Sequence, residues 1–226
     1  MSTVFRLRIL LDFIAIALLV ACLAYWWQDN LVHELLGTAL FVLIIAHNVF
    51  NRRWLGTPKV KGRQRVLNSF VIICVATLMT VMLVTSLLIS RDLYPFTALR
   101  GAFAVREIHM FVAYWTLLVI SLHLGTRWSS VMSVARTIFG ITSRNAARAV
   151  ALRGLAAAVA FWGVISSFEM AFGSKLMLTY TLDMWDFNEA ALRFFVNYAS
   201  IVGLYAAVGH YVLMFVRARK HIRPDR

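Results

Sequence analysis

The stretch His33-Glu34-Leu35-Leu36-Gly37-Thr38-Ala39-Leu40-Phe41-Val42-Leu43-Ile44-Ile45-Ala46-His47 decides how this chain is read. After Glu34 it carries no charge, and no proline interrupts it. With its flanks it covers 31–50, the roughly 20 residues that a helix needs to cross a hydrocarbon core. The frame returns as His109-Met110-Phe111-Val112-Ala113-Tyr114-Trp115-Thr116-Leu117-Leu118-Val119-Ile120-Ser121-Leu122-His123, with the same 14-residue step between histidines. Fourteen steps of roughly 100° stop about 40° short of four turns, so both histidines of each stretch share one helix face. They lie about 21 Å apart along the axis.

Four more stretches are long enough to cross a membrane, giving six in all: 9–27, 31–50, 66–90, 108–128, 154–173 and 194–215. Open sheet edges are not tolerated in lipid, so the expected fold is all-α and polytopic. Composition agrees. The 226 residues are 61% hydrophobic and 15% charged, whereas a soluble domain is near half apolar and a quarter charged. Pro58, Pro95 and Pro224 all fall between or beyond the apolar runs.

A net charge of +13 invites a nucleic-acid reading, but its distribution excludes one. Eighteen of the 23 Lys and Arg flank alternate ends of the spans on one side, in the groups around 6–8, 52–65, 127–153 and 217–226. Arg91, Arg100, Arg106, Lys175 and Arg193 lie on the other side among most of the acids. The positive-inside rule then places both termini and the longer basic loops in the cytoplasm, with lipid as the first partner. Arg6, Arg8 and the apolar run after them resemble a signal peptide. That run continues into Tyr25-Trp26-Trp27, an interfacial aromatic belt, so 9–27 reads as a retained span. Cys22 and Cys74 lie within apolar runs as packing thiols, and no Cys-x-x-Cys-His motif for covalent haem is present.

Two connectors carry a pattern. In 129–149, Val131, Val134, Ile138 and Ile141 recur between arginines, as in a helix lying on the cytoplasmic surface. The acidic and aromatic segment 174–189 is expected to cap the bundle outside. No internal repeat or low-complexity tract occurs. The chain thus divides into a four-helix core over 1–128, an amphipathic connector over 129–153, and two further helices with a basic tail over 154–226.

Ionisable groups inside a membrane are costly and are functional candidates by default. Spans two and four run in the same direction, so side by side they set His33 level with His109 and His47 level with His123. Each pair can ligate a flat macrocycle from both sides. Two haems with both axial positions filled suit electron transfer, and only this ligation uses all four histidines. A zinc or copper site built from His33, Glu34 and His109 is the competing reading. Gly37, one turn after His33, gives a haem access to the backbone or merely permits close packing, and Gly125 beside His123 is read the same way. Arg100 and Arg106 are cations available to propionates at the outer level, and Arg52, Arg53 and Arg127 at the inner one, unless they simply anchor helix ends. His210 reads as a bundle contact, with a quinone contact or proton transfer as the alternative. Glu169 is a snorkelling carboxylate or a proton-release group. Asp12, one turn after Arg8, is expected to pair with it, and His221 is expected to be solvated.

His33-Glu34-x-x-Gly37 with His47-x-x-x-Asn51-x-x-Trp54, and His109 through His123-Leu124-Gly125 to Arg127-Trp128, resemble the second and fourth helices of a bacterial di-haem membrane cytochrome b family. That family was long catalogued as a domain of unknown function. It is similar in layout to the haem-bearing membrane subunits of quinone-linked oxidoreductases. The resemblance covers roughly 9–128. It implies two b-type haems held by His33, His109, His47 and His123, and electron exchange between the quinone pool and a periplasmic or membrane redox protein. His210 and Glu169 lie outside it. Two other classes stay open: a proton or metal-ion transporter that uses the histidines, and a haem-free anchor for a partner enzyme.

Overall fold

The computed structural model describes residues 3–55, 63–99, 101–143, 145–179 and 185–222, with the side chains at 3–5, 50–55, 63–65, 68 and 219–222 left out. Among the described residues the fold is all-helical: α1 (Thr3–Leu23), α2 (Asn30–Leu55), α3 (Arg63–Ile89), α4 (Phe103–Ile138), α5 (Ala146–Glu169), the single turn α6 (Phe172–Lys175) and α7 (Phe187–Ile222). Five of these (α2, α3, α4, α5 and α7) are long and apolar enough to cross a membrane. The sequence led us to expect six such spans. The sixth, α1, has the length but carries Arg6, Arg8 and Asp12 along its first half.

Local chemistry sets the helix ends. Gln28 donates its side-chain amide to the Ala21 carbonyl at 2.9 Å as α1 closes through a 3-10 turn at Tyr25–Trp27. One residue later, the Asp29 carboxylate accepts the Val32 amide at 2.8 Å and starts α2. A side-chain oxygen that takes a first-turn amide satisfies a donor the helix cannot. Asn145 does the same for α5, accepting the Arg148 amide at 3.0 Å.

The connector expected to lie on the membrane surface over 129–149 does not form as a separate helix. Helix α4 runs on through its first half, because no glycine or proline intervenes before Gly140. There φ is +62°, and the Ile141 amide donates back to the Arg136 carbonyl at 2.8 Å. This is the left-handed helix stop that glycine permits. The apolar side of the segment is divided: Val134 is buried and Val131 packs on the main core, while Ile138 is 59% exposed.

Helices α4 and α7 form the central seam, with α5 on the outer side of α7 and α3 on α4. Helix α1 bridges α2 and α4, while α2 touches α3 and α4 at most slightly. The core centres on Leu117, Tyr198 and Ile201, which are fully buried. Its backbones approach closely where side chains are missing. A Cβ on Gly125 would collide with the Ala206 carbonyl, and one on Gly209 with the Leu122 carbonyl. Small residues at such crossings are how membrane helices come together without a hydrophobic driving force. Polarity follows the same logic. Ser166, Asn197 and Ser200 are buried between α5 and α7, with the Ser166 hydroxyl 3.0 Å from Asn197 Oδ1 and 3.1 Å from Ser200 Oγ. Phe168 and Phe161, by contrast, are 82% and 68% exposed. Large apolar side chains outside and polar contacts inside suit a hydrocarbon solvent.

The segment after α5 does cap the bundle in part. Phe172 is 1% exposed within the main core, and Trp115 donates its indole N–H to the Leu176 carbonyl at 3.0 Å. Residues 180–184 of the expected cap lie outside the described ones.

Candidate functional site

The four intramembrane histidines occupy two levels. At the first, the His33 and His109 rings have centroids 6.3 Å apart and planes inclined at 74°. Two imidazoles bound to one metal from opposite sides, each nitrogen about 2 Å from it, place their ring centres roughly 6 Å apart. The Tyr25 ring packs edge-on against His33 at 5.0 Å. Nδ1 of His33 is shielded from solvent, and the His33 ring lies within hydrogen-bonding reach of the Cys22 backbone carbonyl on α1. Nδ1 of His109 lies 3.1 Å from the Thr85 hydroxyl on α3. Gly37 sits one turn along the His33 face, and a Cβ there would meet nothing within 4 Å.

At the second level, His123 lies within electrostatic reach of His47 and of Arg127. Its Nδ1 is shielded, with no hydrogen-bond partner among the described residues. Nε2 of His47 lies 3.5 Å from the Asp12 carboxylate on α1, and Arg127 feels the same carboxylate. Asp12, expected to pair with Arg8 on its own helix, thus also makes a contact across the α1–α2 interface. The i, i+4 rule sees only one helix, and Asp12 turns toward the neighbouring one.

The first level fits a flat macrocycle held on both sides. The ring separation is right, one ring has an oriented Nδ1, and there is open space beside Gly37. The second level fits in part, since His47 turns its Nε2 to a carboxylate.

The competing mononuclear site is not assembled in this arrangement. Both oxygens of Glu34 are spent on the turn after α3. They accept the Arg91 and Leu93 amides at 2.7 and 2.8 Å, the Ser90 hydroxyl at 2.8 Å and the Asn30 side-chain amide at 2.8 Å. Among the described residues, no group of three or more His, Cys, Asp or Glu is placed to hold a metal ion.

The remaining candidates are scattered. Gly125 makes the α4–α7 crossing and is not a cofactor cradle. Arg106 is exposed three residues before His109, and Arg127 sits beside the second level. Arg100 lies outside the described residues, as do the side chains of Arg52 and Arg53 in the last turns of α2. His210 contributes its backbone to the α4–α7 crossing, with its ring 5.4 Å from Tyr211. Glu169 forms an ion pair with Arg193 at 2.7 Å and so ties the end of α5 to α7. Sequence reasoning missed Thr85 and the Glu34 latch. Depth would have pointed to both: span three runs opposite to span two, so its last residues return to the level of His33 and His109.

Among the described residues, the fold and site define an all-helical protein with five helices fit to cross a membrane and four histidines at two levels of two of them. No known protein family, curated protein or solved structure matches the chain.

Proposed function

We propose that the chain is a di-haem membrane cytochrome b, like the bacterial family its histidine motifs resemble. In this reading α1 completes six spans, α1 to α4 form the haem-bearing core, and both termini face the cytoplasm of a bacterial inner membrane. The observation that carries the reading is the 6.3 Å separation of the His33 and His109 rings, supported by the equal 14-residue step to His47 and His123. Bound there, two b-type haems supply one-electron chemistry, and the function is electron transfer between the quinone pool and a redox partner at the outer face.

The chain's own residues have defined tasks. His33 and His109 hold the outer group, and His47 and His123 the inner one. Gly37 leaves room beside the backbone, and Tyr25 packs edge-on against the outer ligand. Arg106 and Arg127 offer cations to propionates at the two levels, with Arg100, Arg52 and Arg53 assigned the same task from the sequence. The Glu34 latch fixes α2 to the turn after α3, and so holds the depth of the neighbouring His33.

Purified protein tests this. The expected spectrum has a Soret band and sharp reduced α-bands, with two haems per chain. His33→Ala and His47→Ala should each remove one haem. A colourless preparation from haem-replete cells overturns the reading.

A further inference from the structure

Thr85 has a part that the four histidines do not reveal. It lies near the end of α3, 6% exposed, at the level of His33 and His109. Its hydroxyl is 2.8 Å from the Val81 carbonyl and 3.0 Å from the Met82 carbonyl, both on its own helix. The third neighbour is His109 Nδ1 at 3.1 Å. A hydroxyl has one proton and two lone pairs. Carbonyls only accept, so the proton goes to α3 and a lone pair faces the imidazole. The contact is then satisfied with His109 donating from Nδ1. A neutral imidazole protonated on Nδ1 keeps its lone pair on Nε2.

We propose that Thr85 is a positioning residue for His109: it takes the Nδ1 proton, fixes one tautomer and ring orientation, and leaves Nε2 as the coordinating nitrogen. Partners of this kind orient metal-binding histidines and raise their basicity, and losing one typically weakens binding by about 10–100-fold. At the first level His109 faces a neutral hydroxyl; at the second, His47 has the Asp12 carboxylate 3.5 Å from its Nε2. The two levels are therefore tuned differently. This inference rests on the proposed haem ligation for its consequence, though not for the hydrogen bond itself.

The test uses Thr85→Val, which keeps the shape and removes the acceptor, and Thr85→Ser, which restores it. In the full-length protein labelled with 15N-histidine, the haem-free form should show His109 as the single Nδ1–H tautomer. Thr85→Val should give a mixture of tautomers and Thr85→Ser should return the wild-type spectrum. In haem-loaded protein, Thr85→Val should raise the midpoint potential of one haem and weaken its retention by about 10–100-fold. The other haem serves as the internal control for folding. An unchanged tautomer in Thr85→Val overturns the assignment. So does a Thr85→Ser variant that behaves like Thr85→Val. A wild-type protein that binds no haem defeats the proposed function instead, and the tautomer still decides the role of Thr85.

Discussion

Nε2 of His47 lies 3.5 Å from Oδ1 of Asp12, so the last histidine of α2 faces a carboxylate from the first half of α1. Asp12 is 47% exposed, and a pair this open contributes less than about 1 kcal/mol. Its weight is in orientation, because the carboxylate competes for the nitrogen that would otherwise coordinate. Asp12→Asn should therefore leave the unfolding midpoint nearly unchanged and improve haem retention at the His47/His123 level. Haem per chain after detergent dialysis checks this. A fall to one haem would mean that the carboxylate supports the ligand.

Glu34 holds the turn after α3 through the backbone amides of Arg91, Asp92 and Leu93 and the Ser90 hydroxyl, and also accepts from Asn30 on its own helix. Hydrogen bonds to a charged acceptor each contribute about 1.5–3 kcal/mol. Glu34→Ala should loosen this turn locally, with hydrogen exchange at the Arg91 and Leu93 amides at least about tenfold faster while amides in α7 keep their protection. Glu34→Gln retains one carbonyl acceptor and should fall between. Unchanged exchange in Glu34→Ala would show that the latch carries no load.

Much of this architecture was legible because apolar run length and the absence of breakers determine membrane helices almost alone. The same cues misjudged where α4 ends, because amphipathic spacing over 129–149 does not reveal that its first half continues the preceding helix. Depth was legible too, since direction and rise per residue set His33 against His109. Rotation about the axis was less so. The Asp12–His47 contact was not legible, because only contact between helix faces reveals a partner on the next helix. Gly125 could have been read better. It lies two steps from His123, about 200° around the helix, on the far side from any shared ligand. Gly37 lies four steps from His33, on the same side.

Between α5 and α7, Asn197 is fully buried, with Oδ1 accepting from Ser166 and its side-chain amide 3.6 Å from the Met170 sulfur. Interhelical hydrogen bonds of this kind average about 0.6 kcal/mol in membrane proteins and reach about 1.7. Asn197→Leu should lower stability by about that range, read from the equilibrium unfolding midpoint in mixed detergent. Haem content should not change, because Asn197 faces Ser166 and Met170 on the α5 side of α7. A selective loss of haem would place Asn197 in the site after all.

The two glycines of the histidine motifs should separate by the same single methyl group. On Gly125 a Cβ meets the Ala206 carbonyl and lies 2.8 Å from the His210 amide nitrogen. Both are backbone atoms that cannot step aside without moving α7. Gly125→Ala should therefore destabilise by about 1–3 kcal/mol, the usual penalty for overpacking. On Gly37 a Cβ meets nothing within 4 Å, and alanine in place of a helical glycine favours the fold by about 0.5–1 kcal/mol. Gly37→Ala should unfold no more easily than the wild type, yet lose haem at the His33/His109 level if the space beside it is where the macrocycle lies. Unfolding midpoint and haem content measured on both variants give opposite patterns under this reading. Full haem retention in Gly37→Ala would take the macrocycle away from that face of α2.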